Sequence, residues 1–534
     1  MKQLKRVVSL LLVLIMSLGV FTACGNKSNK KSGERVLTVG IPQDATIPDY
    51  ETNALTRWLE EQTGIEIEWV FFASGTSDYA KQLTLMCSAN EELPDVLLGF
   101  NGLGHYTINQ LGEEGFIIDL SKLIEKNAPN YQKALSGLDK ETQQYIKEKG
   151  TNTVDGKSFY ALPSLEMKYA DNLQTMAYIN QTWLTKLGLQ VPTTTAELVN
   201  VCKAFATQDP NGNGQQDEMA MMGDFSAYLM NAFVEYDSGN FNVKDGKVWD
   251  PVYTDEWRKG MSFIADLVKN DYYNKLSFTL TNIERKNLVS AVDGTMKVGM
   301  FAGSHEIMTH ATSDVLSNYV AMGPLADETG KGGYTIINEI EARWGACITE
   351  DCENPELAME FLDTFYMDEA ITRQRHGEKD VDWEYKEGTN VQGTASYTKP
   401  LNMAAFIDKN QNCTLGNLLY IMTDWNYLII DEDTAEGRVA DAARLQKEQW
   451  AVMNAAKERE IVGRLVYTTE EYEAREEKAG EVSSYISEQT VLFATGEKDI
   501  NNDSVWAEFK STLTSLGRQD LMKIAQDAYS RKTK

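Results

Sequence analysis

The sequence predicts an α/β protein with more than one domain, and three observations carry that reading. Its 534 residues exceed the roughly 250–300 at which a single hydrophobic core stops growing. It is 42% hydrophobic and 24% charged, the balance of a folded globular body and not of a disordered chain. Short β-branched runs alternate with amphipathic helical patterns, which implies a parallel sheet with right-handed crossovers.

The amino terminus reads as an address. Lys2, Lys5 and Arg6 precede an apolar run from Val7 to Ala23, short for the roughly 20 residues of a membrane span. Basic, then apolar, then small residues is the pattern of an export signal over residues 1–23. Phe21-Thr22-Ala23-Cys24 resembles a bacterial lipobox, with Phe21 where Leu is usual, so Cys24 is the expected lipidation site. Residues 24–35 are too polar to fold and form a tether. No second segment approaches spanning length, so the expected place is the outer face of the bacterial cell membrane, held by the lipid alone. Lys+Arg 51 against Asp+Glu 79 gives a net charge of -28, which repels phosphate backbones and excludes nucleic acid as a partner.

Val36 to Ile41 is a β-branched run, followed by a helix from about Asn53 to Gln62 and an alternating strand at Ile65–Val70. Tyr79, Leu83 and Met86 put one apolar face on the next helix, and Asp95–Leu98 is the next strand. Ligands of such sheets lie at the carboxyl ends of the strands, which makes Asp95 and the loop Gly99-Phe100-Asn101-Gly102 candidates. A second unit begins near Tyr160. Asn180 caps a helix through Trp183, Leu184 and Leu187 that stops at Gly188. Thr194 and Glu197 form a capping box for a helix whose face is Leu198, Val201, Cys202 and Phe205. Pro355 opens a helix with Ala358, Phe361, Leu362 and Phe365, and Trp506, Phe509, Leu513 and Leu516 make a last stripe before Gly517.

Beyond Cys24, five cysteines remain: Cys87, Cys202, Cys347, Cys352 and Cys413. An odd number does not describe a disulfide framework. Cys87 and Cys202 fall on apolar faces, while Cys347 and Cys352 read equally as a bridge or as free thiols.

Enzyme motifs fail. The histidines His105, His305, His310 and His376 form no H-E-x-x-H pair, and no G-x-S-x-G elbow exists. Asp155-Gly156-Lys157-Ser158 ends like a phosphate loop, but Gly150 stands one residue too early; a tight turn into the strand Phe159–Leu162 explains it. One motif is specific. In Asp209-Pro210-Asn211-Gly212-Asn213-Gly214-Gln215-Gln216-Asp217-Glu218 the oxygen donors alternate as in a calcium loop. Asp209, Asn211, Asn213, the Gln215 carbonyl and Asp217 take positions 1, 3, 5, 7 and 9. Position 12 is Ala220, so Glu218 is the substitute. The expected role of Ca2+ here is structural.

The run Tyr178–Leu189, then Val191–Thr194, then Asp209–Glu218, resembles the family 1 extracellular solute-binding proteins, lipoprotein components of ABC importers. Leu93–Val96, Asp155–Lys157, Asn354–Glu356, Gly496–Asp499 and Trp506…Tyr529 extend that likeness, nearest to binders of alginate oligosaccharides. The resemblance implies a two-lobed type II periplasmic-binding-protein-like fold with discontinuous lobes and a hinge. The lobes expected are residues 36–158 with 335–400, and 159–334 with 401–534. It implies calcium at Asp209, Asn211, Asn213, Gln215, Asp217 and Glu218, a carbohydrate ligand, and permease subunits as separate partners. Ligand residues vary in this family and do not carry over.

A sugar needs flat aromatics against its ring faces and planar polar groups for its hydroxyls. Aromatics beside polar residues, outside clean helical stripes, are the candidates: Tyr160, Tyr169 with Asp171, Arg343-Trp344, Trp383 and the pair Trp425 and Tyr427. His305 and Glu306, after the strand at Gly299–Phe301, join them. Capture without catalysis, by closure of two lobes over an oligosaccharide, is the expected function. A surface glycan-degrading lipoprotein and a peptide-binding or adhesin-type lipoprotein are the competing classes.

Overall fold

A computed structural model describes residues 35–44, 47–152, 155–166, 177–237, 239–291, 294–302, 312–335, 342–390, 394–401, 415, 418–422, 438–454, 460, 462 and 465–532. In chain order the strands are β1 Val36–Pro42, β2 Glu66–Phe72, β3 Val96–Leu98, β4 Leu162–Glu166, β5 Ala177–Asn180, β6 Met219–Gly223 and β7 Asn242–Lys244. There follow β8 Lys247–Trp249, β9 Val298–Ala302, β10 Tyr319–Ala321, β11 Arg343–Ile348, β12 Trp383–Thr389, β13 Ala395–Pro400 and β14 Ile421–Met422. Helices alternate with them, as the predicted α/β class requires.

The helix boundaries obey local chemistry. Asn53 caps Ala54–Thr63 by accepting from the Leu55 N–H, and Gly64 at φ 64° ends it. Asn180 and Gly188 bracket Gln181–Leu187, and Thr194 with Glu197 forms the predicted capping box of Thr195–Thr207. Asn354 caps Pro355–Thr364, whose Ala358, Phe361 and Leu362 are buried.

Two sheets organise the molecule. The first has six strands in the order β14-β4-β11-β3-β1-β2, and the second has four in the order β10-β5-β9-β6. In the first all strands run parallel except β11, which opposes both β3 and β4. In the second β6 and β9 are parallel, β5 opposes β9, and β10 opposes β5. Each sheet has its own core. Leu37, Val39, Leu98, Ile348, Phe361 and Leu419 belong to the first. The second centres on Trp257, whose ring stacks on Phe509 at 5.3 Å and on Trp506 at 6.0 Å. The carboxyl-terminal stripe is therefore core of the second lobe, as its spacing predicts.

The lobe limits differ from those expected. Leu162–Glu166 and Ile421–Met422 are strands of the first sheet, so 159–166, Leu415 and 418–422 go with the first lobe. The reason is a return of the chain: Ser164 Oγ donates to the Leu418 carbonyl at 2.8 Å, a pairing that no local pattern announces. Cys87, Cys202, Cys347 and Cys352 are buried and outside any disulfide, so Cys347 and Cys352 do not bridge; Cys413 lies outside the described residues.

Candidate ligand cleft and metal loop

Strand direction locates the cleft. In the first sheet the chain leaves β4 at Glu166, enters β11 at Arg343 and leaves β14 at Met422. All three points lie on the edge where β1 and β3 end, because β11 runs the opposite way. In the second sheet β5 begins at Ala177 opposite Ala302, the last residue of β9, with Gly223 of β6 beside it. The stretch after Met422 leads to the helix Arg438–Asn454, which is anchored on this lobe by Arg444 donating to the Leu316 and Tyr319 carbonyls. Three connections thus join the two sheets, and two of them run from one carboxyl edge to the other. Ligands of α/β sheets bind at those edges. A fourth link is the helix Thr469–Thr495, with Tyr472 5.8 Å from the His105 ring, Glu473 accepting from Tyr106 Oη at 3.3 Å, and Phe493 in the second core.

Two sequence-derived candidates sit on this edge. Asn101 follows β3, where the Gly99 N–H donates to the Gly345 carbonyl at 2.7 Å. Arg343 opens β11, is exposed, and has no carboxylate partner among the described residues. Tyr169, Asp171, His305, Glu306, Trp425, Tyr427 and the lipidation site Cys24 lie outside the described residues.

Four candidates are corrected. Asp95 precedes β3, at the opposite edge, and is buried. Its Oδ2 accepts from the Thr38 N–H and Oγ1, each at 2.7 Å, which stitches β1 to β3. Tyr160 precedes β4 at that same far edge, and its ring lies so close over Gly112 that a Cβ there would stand 2.5 Å from it. Trp344 is buried among Phe159 at 5.8 Å and His105 at 5.9 Å. Trp383 is fully buried, with Nε1 donating to the Gly377 carbonyl at 2.9 Å. Neither tryptophan has a ring face free to stack on a sugar. A polar neighbour in sequence does not report which way an aromatic points: both tryptophans went into the core, and Tyr160 packs half-buried against it.

Asp224 was missed by the sequence reading. It is exposed at the carboxyl end of β6, accepting from the Ser226 N–H at 3.1 Å. The position after a buried strand was its only signal. His105 was also missed as an edge residue. It opens the helix His105–Glu113 behind the edge loop, with Nε2 2.9 Å from Asn109 Nδ2; burial, with Lys149 nearby, holds its pKa down at about 4.

The loop 209–218 lies at the other end of the second sheet, because Glu218 directly precedes β6. Five strand residues at about 3.3 Å each put it roughly 16 Å from the cleft edge. Asp209 holds the turn by accepting from the Gly212, Asn213 and Gly214 N–H groups at 2.8, 3.1 and 3.0 Å. Gly212 and Gly214, at φ 77° and 78°, supply the left-handed turns that let alternate residues face inward. Glu218 Oε1 accepts from the Asn211 N–H at 3.4 Å, while its buried Oε2 has no partner among the described residues. Burial, then the charges of Asp209 and Asp217, push the Glu218 pKa up. Ala220 is buried inside β6 and cannot reach the loop. No three of the His, Cys, Asp and Glu side chains form a ready metal cluster among the described residues. Half of the six donors are amide or carbonyl oxygens and half carboxylates, and the orphaned buried carboxylate oxygen of Glu218 among them fits a hard cation.

The model of the bacterial extracellular solute-binding proteins matches residues 44–371, more than half of the chain. The chain belongs to that family. The members of this family that the chain resembles are binding proteins of ABC transporters, not enzymes. This solute-binding protein is 25% identical to the fructooligosaccharide ABC transporter substrate-binding protein FusA of Streptococcus pneumoniae serotype 4, over 97% of this chain and 96% of that one. The structure of an EF-hand mutant of FusA with fructo-nystose superposes with a TM-score of 0.75, at 22% identity over 93% and 99% of the two chains. An "HMO binding" ABC-transporter-associated solute-binding protein from Bifidobacterium longum infantis ATCC 15697 gives 0.75 at 20% identity over 94% and 100%. The alginate-binding protein AlgQ2, solved without calcium ion, gives 0.66 at 19% over 93% and 99%. The two-lobed fold expected from the sequence is therefore the fold of this protein. No described helix is long and apolar enough to cross a membrane.

Proposed function

We propose that this solute-binding protein captures an oligosaccharide between its lobes, outside the cell, and delivers it to a separate ABC permease. The observation that carries this reading is the likeness along 97% of the chain to a protein named for fructooligosaccharides. Asn101 and Arg343 line the cleft from the first lobe, and Tyr169, Asp171, His305, Glu306, Trp425 and Tyr427 serve it from the stretches that leave the carboxyl edges. Contacts to both lobes favour the closed form, and micromolar binding supplies about 8 kcal/mol, enough to bias a hinge equilibrium of a few kcal/mol. Lipidated Cys24 keeps the body at the membrane.

A thermal-shift screen of neutral fructo-oligosaccharides, acidic oligosaccharides and peptides tests this. An oligosaccharide at 100 times its dissociation constant should add about 2.7 kcal/mol of stability and be recovered intact. Cleavage of the sugar, or a response to peptides alone, would sink the reading. Arg343→Ala should weaken the sugar about tenfold, roughly 1.4 kcal/mol, while leaving the ligand-free melting temperature in place.

The loop 209–218 holds a structural Ca2+ through Asp209, Asn211, Asn213, the Gln215 carbonyl, Asp217 and Glu218. The ion would offset two of the three carboxylate charges and tie the loop to β6. With calcium at ten times its dissociation constant, chelator should remove about 1.4 kcal/mol of stability. Asp217→Asn should abolish that chelator effect and leave sugar affinity within about twofold, because the loop stands roughly 16 Å from the cleft. An unchanged melting curve in chelator would dismiss the metal.

A further inference from the structure

One carboxylate of the same loop meets a lysine from outside it. Asp217 receives nitrogen donors on both oxygens. Asn211 Nδ2 and Asn213 Nδ2 each donate to Oδ1 at 3.0 Å, and Lys297 Nζ stands 3.4 Å from Oδ2. A second lysine, Lys186, donates to the carbonyls of Asp209 and Pro210 at 3.2 and 2.9 Å. The two lysines differ in what they occupy. Lys186 takes carbonyls that a calcium loop does not use at those positions, whereas Lys297 takes a carboxylate oxygen that it does use. Lys297 is also fixed in place. Its carbonyl accepts from the Met219 N–H at 2.7 Å, which seats it just before β9 and beside the first residue of β6.

Resting on the calcium reading above, we propose that Lys297 is a tethered counter-cation that competes with the divalent ion for Asp217 and thereby lowers the affinity of the loop. The ammonium must leave Oδ2 before a metal can take it, so part of the metal's Coulomb gain is offset. The same contact relieves the repulsion among Asp209, Asp217 and Glu218 when no metal is bound. Removing the charge therefore acts with opposite signs on the two states: it tightens the metal and loosens the metal-free loop. A lysine that merely lowers the general negative field would do the first only, and weakly.

The test uses the mature protein stripped of metal, with calcium chloride titrated in a calorimeter and melting curves taken in chelator. Both lysine and aspartate are partly exposed, so the contact belongs to the weak class of ion pairs. Lys297→Met should bind calcium about 3- to 5-fold more tightly than the unaltered protein. Its melting temperature in chelator should fall below that of the unaltered protein and recover in saturating calcium. Lys244→Met, which removes an exposed lysine of β7, is the charge-matched control and should shift affinity less than about twofold. Lys297→Gln, polar but uncharged, should reproduce the tighter binding if the methionine variant does not fold. Equal affinity in the Lys297 and Lys244 variants, or no loss of stability in chelator, overturns the proposal. If the unaltered protein takes up no calcium at about 10 mM, above the range of extracellular calcium sites, the metal reading itself falls, a result distinct from a failure of the lysine.

Discussion

Arg518→Met should destabilise the second lobe by about 3–5 kcal/mol, read as a lower urea midpoint by circular dichroism. Arg518 Nε lies 2.6 Å from Asp250 Oδ2 and its Nη2 3.1 Å from Oδ1, a two-pronged pair with both side chains almost fully buried. Nη2 also donates to the Gly239 carbonyl, and the guanidinium lies 4.0 Å from the Phe241 ring centroid. The pair ties the last helix, Arg518–Lys532, to the turn that Asp250 caps by accepting from the Val252 N–H at 3.1 Å. Methionine keeps much of the volume but leaves the Asp250 charge in the interior without its cation. The double variant Arg518→Met with Asp250→Asn should recover most of the loss, because a buried pair adds little net stability over a neutral replacement. Removing Lys133, paired with Asp368 at 3.6 Å on an exposed surface, should move nothing measurable. If Arg518→Met behaved like the Lys133 change, the pair would not hold the last helix.

The elements written by local rules were legible in the sequence. Asn53, Asn180, Thr194 and Gly188 mark their helix ends because a capping side chain or a left-handed glycine acts within a few residues. The stripe Trp506, Phe509 and Leu513 is buried as its spacing requires. The turn at residues 209–214 was legible for the same reason, since Asp209 holds it through N–H groups only three to five residues on. What could not be read was decided at long range. The return of residues 418–422 onto β4 shifts the lobe limits, and no pattern near Leu418 encodes it. The cleft candidates failed where a strand's two faces had to be told apart: Trp344 and Trp383 look in sequence like any aromatic beside a charge, yet both point into the interior. Asp95 failed through strand polarity, because three residues of β3 separate it from the edge that Asn101 occupies.

Gly223→Ala should cost about 2–5 kcal/mol, and in molecules that still fold it should weaken oligosaccharide binding at least tenfold. Gly223 ends β6 at φ 109°, a conformation closed to residues with a side chain, and pairs with Ala302 at the end of β9. A Cβ there would fall deep inside contact distance of the Ala302 carbonyl oxygen and 3.1 Å from the Ala302 nitrogen. The backbone cannot yield toward the other side. Tyr273 Oη donates to the Gly223 carbonyl at 2.8 Å and accepts from the Phe225 N–H at 3.0 Å, and Ser277 Oγ accepts from the Gly223 N–H at 3.1 Å. Strands β6 and β9 must therefore part at their carboxyl ends, the edge from which Asp224 and residues 303–311 leave. Gly246→Ala separates strain from clash. That glycine sits in the turn between β7 and β8 at φ 74° with nothing within 4 Å of an added Cβ, so it should cost about 1 kcal/mol and leave binding alone. Calorimetric titration with the oligosaccharide that scores in the thermal screen, run on both variants, decides the matter. A Gly223 variant that binds as well as the Gly246 variant would mean that this edge does not shape the ligand cleft.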